Sequence, residues 1–580
     1  MSQDEIHPPQ QRIGDDRRSR QLRYTTHVFR QARKSRIPVA RQRGALSPSV
    51  PRRGIAPGMR AAAGLIARGG RRVVVKARYT RIFGGDLGAA RAHLRYIQRD
   101  GVTREGESGR LYDRSFDDVD VAAFLRRSQQ DPYQFRFIVS VEDSARMGDL
   151  KPFVRDLLRQ MQYDLNTKLD WVAVDHFNTG HPHTHIVIRG RDLAGGDLVM
   201  ARSYITHGVR ARAQGLITLE LGPETALERL QKLGNEVGQE RLTRIDRVLI
   251  ARARNGVLAL DGTEERDPLQ QTLRIGRLRA LERLGLAVER RPGVWALDRG
   301  IEGKLRRLGE RADKFKTMQR ALKAAGIERA ATSIALFANA PRRTPLIGKV
   351  VGVGMVDEIT DRTWVVVDAL DGRAHYAELG RLSPGDVPGR GMLVALGGEQ
   401  LQDKPDSYPR FQLLSAVALD ELVGYDGPTW LDQAICSNVG IERVMPGFAM
   451  ELRQAVAARG RWLAERSLAE VSEEGKPRAK PHMLAVLRQR ETRRIAAALA
   501  RELNATYLAH APGSRIEGIY ERCVATATGR IAVIRREDTF SLATWKPALE
   551  PMRGRTVVGF VGASRLTWTL QRGRSLPERA

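Results

Sequence analysis

Four of the chain's 11 histidines fall within ten residues, in the stretch DHFNTGHPHTHIVIRG: His176, His181, His183 and His185. Imidazoles at alternate positions of a strand share one face, so His181, His183 and His185 point one way and Thr184, Ile186 and Ile188 the other. A two-residue loop at Thr179-Gly180 pairs His176 with His183, and cross-strand partners share a face about 4.5–5.5 Å apart at Cβ. One sheet face then carries imidazoles from both strands. Three of them can hold a divalent ion and leave positions open for a substrate. A structural zinc site favours four ligands and cysteine, whereas the two cysteines here, Cys436 and Cys523, lie far away in sequence.

An ion with open positions serves hydrolysis or group transfer, and a group transfer needs a nucleophile. In DLGAARAHLRYIQRDG (86–101), Leu87, Ala90, Leu94 and Ile97 form one helical stripe. At 100° per residue, Tyr96 points about 140° from the centre of that stripe. Arg95 and Arg99 lie on the same polar side, so a phosphate near Tyr96 meets positive charge. A phenol with a pKa near ~10 needs a base or a nearby cation to react at neutral pH.

The elements that must position these residues sit in a chain of 580 residues, enough for about three to five domains. Its 97 Lys and Arg against 67 Asp and Glu leave a net charge of +30. Such an excess attracts polyanions, of which nucleic acid is the commonest. With 42% hydrophobic and 28% charged residues, the composition is that of a folded protein and excludes fibrous and fully disordered classes. No apolar run approaches the ~18 residues of a membrane-spanning helix, and the polar start MSQDEIHPPQQRIGDDRRSRQ predicts no secretory leader. Two cysteines in so long a chain predict a reducing, cytoplasmic setting.

The expected fold class is α+β. Residues 1–70 read as a basic, disordered arm able to touch phosphates. Residues 71–235 alternate strands (RRVVVKARYT, FRFIVSVE, WVAVDHF, HTHIVIRG) with helices (149–165 and 203–221), giving an antiparallel or mixed sheet with helices packed on it. Residues 241–300 place Leu278, Leu281 and Leu284 at helical spacing before Gly285, then two short strands about Pro292-Gly293; a helix followed by a small Arg-rich hairpin is the pattern of a winged helix. A helical linker (301–345), a small β-barrel-like domain with a turn at Asp371-Gly372 (346–425) and a helical plus β domain (426–580) follow. The sequence has no repeat of fixed period and no phosphate-binding loop of the Walker type.

AHLRYIQRDG, FRFIVSVED and HFNTGHPHTHIVIRG, in that order, resemble the three motifs of conjugative relaxases, the HUH-type mobilisation nucleases, on the branch of the T-DNA border endonuclease. The resemblance covers about residues 75–225. It implies an HUH nuclease-like fold in which Tyr96 attacks one DNA phosphate at a transfer origin, stays linked to the 5′ end and releases a 3′ hydroxyl. It implies His176, His183 and His185 as ligands of a divalent metal (Mg, Mn or Zn), Ser140 near the DNA at the nick, and His181 as a neighbour of the ligands or a proton acceptor. Implied partners are single-stranded and duplex DNA of the origin, relaxosome accessory proteins and a type IV secretion coupling protein, in a bacterial cytoplasm with no membrane insertion. Many relatives carry an acid where this chain has Asn178, which leaves Asp175 or His181 to accept the phenolic proton. Two other functions stand beside this one: a non-enzymatic plasmid DNA-binding regulator, and a rolling-circle replication initiator, in which the tyrosine would not be expected ahead of the histidine motif.

Overall fold

The structure is a computed structural model describing residues 70–82, 87–99, 101–177, 182–260, 267–338, 344–357, 362–382, 386–397, 408–437, 445–511, 513–561 and 566–569. It is α+β, with several separate sheets and 12 helices among the described residues. The chain divides into two compact units after Leu305. The basic arm read over 1–70, the loop at Thr179-Gly180, Asn178 and His181 fall outside the described residues, apart from Gly70.

The first unit opens with β1 (Val73–Arg81), α1 (Gly88–Ile97), α2 (Val121–Arg127), β2 (Tyr133–Val141), α3 (Lys151–Leu165), β3 (Leu169–His176), β4 (His183–Asp192) and, after a π-helical turn, α4 (Val209–Leu221). The four strands form one antiparallel sheet in the order β1-β2-β4-β3. Alternation splits their side chains between two cores. Phe135, Phe137 and Val139 of β2 with Ile186 and Ile188 of β4 meet the Phe153, Leu157 and Met161 stripe of α3 and Ile217 of α4. On the opposite face, Val172, Val174 and Val187 meet Ala90, Leu94 and Ile97 of α1 and Phe124 of α2. At the far end of β3 and β4 from the histidines, Arg189 bridges Asp131 and Asp170, and Arg127 also grips Asp170. Burial alone would raise the Asp170 pKa; hydrogen bonds from the two guanidinium groups outweigh it and hold it below the usual carboxylate range.

Next come α5 (Ala226–Val237), α6 (Arg244–Arg252), β5 (Val257–Ala259), α7 (Pro268–Arg283), β6 (Ala287–Arg291) and β7 (Val294–Leu297), with sheet order β5-β7-β6. Leu278 and Leu281 are buried, and Gly285 takes the left-handed conformation (φ +68°) that ends α7. A buried arginine locks the segment. Arg277 gives Nε and Nη2 to the two oxygens of Asp246, and its remaining donors go to the carbonyls of Val237, Gln239 and Arg241, so all five are used. Asp246 also caps α6 through Thr243.

The helix α8 (Ile301–Ala324) leads into a six-stranded sheet of β8 (Ile334–Leu336), β9 (Leu346–Asp357), β10 (Arg362–Ala369), β11 (Ala374–Arg381), β12 (Leu393–Gly397) and β13 (Arg410–Ser415). Then follow α9 (Leu419–Gly424), α10 (Trp430–Ser437), α11 (Phe448–Glu465), β14 (Ala469–Val471), β15 (Pro477–Ala479) and α12 (Met483–Leu503). A second six-stranded sheet closes the chain: β16 (Thr506–Tyr507), β17 (Arg515–Thr526), β18 (Gly529–Arg536), β19 (Thr539–Thr544), β20 (Thr556–Val561) and β21 (Leu566–Thr569).

These segments are two copies of one module. Arg459 of α11 grips Asp432 and the carbonyls of Val423, Tyr425 and Gly427 as Arg277 grips Asp246 and its three carbonyls. In each copy the carbonyls lie six, four and two residues before the capping threonine, Thr243 or Thr429. The two large sheets share one strand order, β13-β12-β9-β10-β11-β8 and β21-β20-β17-β18-β19-β16, with β8 parallel to β11 and β16 parallel to β19. Even a local backbone pair recurs: Val350 bonds Met392 and Gly391 as Tyr520 bonds Arg555 and Gly554. The expectation of no repeat with fixed period is met in its letter and misleading in substance. Equivalent residues are 186 apart at Thr243 and Thr429, 182 at Arg277 and Arg459, 170 at Val350 and Tyr520, and 163 at Gly391 and Gly554.

Among the described residues no helix is long and apolar enough to cross a membrane.

Candidate active site and metal centre

The register of three strands builds the site. His176 of β3 lies opposite His183 of β4, and Val174 opposite His185. On the other side of β4, Ser140 of β2 pairs with His183 and Ile138 with His185. Cross-strand partners share a face, so His176, His183, His185 and Ser140 all stand on the face covered by α1. All three histidines are buried, at 0%, 8% and 2% exposure. Their ring centroids lie 4.4 to 5.2 Å apart, and one ligand nitrogen from each falls within 4.8 Å of the others. Two nitrogens each about 2.0–2.1 Å from a common ion can be at most about 4.2 Å apart. Small ring rotations close that gap, so the donor set fits a divalent ion.

The helix α1 docks on this cluster. The Ile97 carbonyl, which can only accept, lies 2.6 Å from His176 Nε2. The proton therefore sits on Nε2, and the lone pair of His176 is on the buried Nδ1. One turn earlier, the buried His93 sets its ring edge-to-face with His185 at 6.4 Å between centroids. Both contacts belong to the last turns of α1, where Tyr96 sits. Arg99 lies over the Tyr96 ring at 4.2 Å, and its Nη1 donates to the Tyr96 carbonyl.

Two sequence readings need correction. Tyr96 is not on a face remote from the core. It is half-buried at the rim of the cluster formed by Leu94, Ile97 and Phe124, because α2 packs on the flank of α1 and widens the covered arc. Asp175 cannot take its proton. It pairs with Thr184 on the opposite face of the sheet, where it accepts hydrogen bonds from Tyr112 Oη and Thr184 Oγ1, and burial pushes its pKa up to about 6. Ser140 donates to the Pro182 carbonyl beside His183. His181 and Asn178 lie outside the described residues. The residue missed in the sequence is His93. Its position, three after Ala90 and four before Ile97, puts it on the flank of the buried stripe.

The family model described as "Protein of unknown function (DUF3363)" matches residues 274–408 and 399–577, just over half of the chain, and the chain belongs to that family. The matched region lies beyond the histidine site and spans most of the duplicated module. No curated protein and no solved structure matches the chain.

Proposed function

We propose that this protein is a DNA transesterase of the conjugative relaxase type, which nicks one strand at a transfer origin through Tyr96. The observation that carries the reading is a buried three-imidazole cluster onto which the helix of a tyrosine is fastened at two points, Ile97 to His176 and His93 to His185. A divalent ion held there (Mg, Mn or Zn) would supply positive charge against a non-bridging phosphate oxygen; imidazole donors favour Mn or Zn on affinity. Tyr96 Oη gives up its proton as it attacks phosphorus, a tyrosyl phosphodiester forms, the bond to the 3′ oxygen breaks, and that oxygen takes up a proton as the 3′ hydroxyl, so no proton is gained or lost overall. The guanidinium of Arg99, over the Tyr96 ring, adds positive charge beside an incoming phosphate. The covalent bond conserves the phosphodiester energy, so rejoining needs no nucleotide triphosphate.

The segment from α5 to β7 runs helix, helix, strand, helix, hairpin, the order of a winged helix, and its hairpin exposes Arg290 and Arg291. We assign it to the duplex flanking the nick. The same observation favours the second reading, a DNA-binding regulator without catalysis.

Supercoiled plasmid carrying the element's own origin, incubated with protein and Mn2+ and then denatured, separates the two. Relaxed circles with protein on a 5′ end, absent for Tyr96→Phe, are the expected outcome. Equal nicking by wild type and Tyr96→Phe removes the tyrosine from the mechanism. His183→Ala should abolish nicking and leave duplex binding intact.

A further inference from the structure

The two copies of the module share a third part, the long helix that follows each hairpin. Asp298 bonds back to Leu286 just before α8, as Lys480 bonds back to Leu468 just before α12. Past the helices, Ile327 bonds to Leu322 as Ala505 bonds to Ala500. Between these anchors, Ile301 and Leu305 are buried at the steps taken by Met483 and Leu487. The first copy has four more residues there, about one helical turn, so the faces stay in phase.

What the copies share on the solvent side is charge. Counted back from Ile327 and Ala505, Lys316 stands where Arg494 does and Lys323 where Arg501 does, and all four are exposed. In α12 they belong to a stripe. Arg490, Arg493, Arg494 and Arg501 lie within about 100° of one another over about 16 Å of helix, with the exposed Ala497 among them. The opposite side of this half of the helix, Ile495, Ala496 and Leu499, packs with Val533 and Phe540 of the last sheet. The two acids of α12 are engaged elsewhere: Glu491 is buried and accepts from Tyr425 Oη, and Glu502 pairs with Arg522. Arg494 donates to the same Tyr425 hydroxyl and Arg501 to the Ala497 carbonyl, both neutral acceptors. Among the described residues, none of the four arginines forms an ion pair with a carboxylate.

We infer that α12, and α8 in the first copy, hold the phosphate backbone of nucleic acid without reading its sequence. Like charges three and four residues apart on a helix repel one another, and a row of anions offsets that repulsion. Guanidinium groups match phosphate oxygens two by two. A membrane surface needs bulky apolar side chains on the docking face, and Ala497 is what lies between these arginines. The inference stands apart from the nicking reaction, and it gives the part of the chain matched by the family model a task of its own.

The test is the salt dependence of DNA binding by the full chain, read as the slope of log K against log salt. The probes are a random-sequence duplex and a single strand of the same length. Arg490→Gln with Arg493→Gln should lower the slope by up to about 1.8 on the duplex, at about 0.9 per lost contact, or by up to about 1.4 on the single strand, at about 0.7. A fall on one form alone names the form held. Arg490→Lys with Arg493→Lys should keep the slope, because the charge stays. Lys316→Gln with Lys323→Gln should lower it independently, and a flat response there removes α8 from the site. The reference is Arg453→Gln with Arg461→Gln, which takes the same charge from the exposed side of α11. An equal fall for that pair, or no fall for the α12 pair on either form, overturns the inference whether or not the protein nicks plasmid. Poly-glutamate that binds as tightly as DNA at equal charge, and loses that binding in the α12 variant, reassigns the face to an acidic protein.

Discussion

At the scale of single residues, buried arginines and histidines are held by backbone carbonyls as much as by side chains. Arg277 and Arg459 each have a fully buried acid and three carbonyls as partners. Removing the cation leaves the acid charged and unpaired, which typically costs about 3–5 kcal/mol. Arg277→Met should therefore loosen residues 226–297, and Arg459→Met residues 419–479, each without the other, as hydrogen exchange would show. Similar loosening of both regions by either variant would contradict this local role. The capping pairs Thr243–Asp246 and Thr429–Asp432 were readable as spacing in the sequence. The arginines were not, because a carbonyl that accepts a guanidinium leaves no mark in the residue types. His93 escaped for a related reason: its role depends on which element faces α1. The pairing of His176 with His183 was legible, because a period of two fixes every face once a single cross-strand pair is known.

At the scale of elements, β3 and β4 are pinned at one end by the imidazoles and at the other by Arg127, Arg189, Asp131 and Asp170. The depressed folded-state pKa of Asp170 sets the sign of a pH effect. Its contribution is present above the unfolded carboxylate value of about 3.9 and is lost as pH falls through the folded value. Arg189→Met should be less stable than wild type at pH 7, with a gap that narrows steadily below about pH 4, read from urea unfolding across pH. A gap of constant size would assign the loss to packing alone. The arc of core around α1 was misjudged from the sequence because its stripe counts only the residues of one helix. The width of a buried face is set by how many neighbours pack on it, and α2 adds a second one.

At the scale of the whole molecule, charge differs between equivalent places in the two copies. The first hairpin exposes Arg290 and Arg291, whereas the link between β14 and β15 exposes Glu473 and Glu474. Duplex affinity should follow the first hairpin. Replacing Arg290 and Arg291 by Gln should lower the slope of log K against log salt by up to about 1.8, at about 0.9 per lost phosphate contact. The same measurement on Glu473→Gln with Glu474→Gln should show no such fall, and an unchanged slope for the arginine pair would remove that hairpin from the interface. The duplication stayed hidden in the sequence because buried nodes tolerate different neighbours and loops of different length. Local identity survives at Arg277 and Arg459, Arg279 and Arg461, Leu281 and Leu463, Leu286 and Leu468, and Ala287 and Ala469, over too short a stretch to mark a period.

The matching arginines also make the chain divisible at a point inside a helix. Joining Arg277 directly to Gly460 splices α7 into α11 in phase, with Leu463 and Leu468 arriving where Leu281 and Leu286 stood. The shortened protein keeps one guanidinium clamp and one terminal sheet, and a cooperative melt is the expected behaviour of such a splice. Recombination between the paired segments would therefore shorten or lengthen the chain by one cassette at a time.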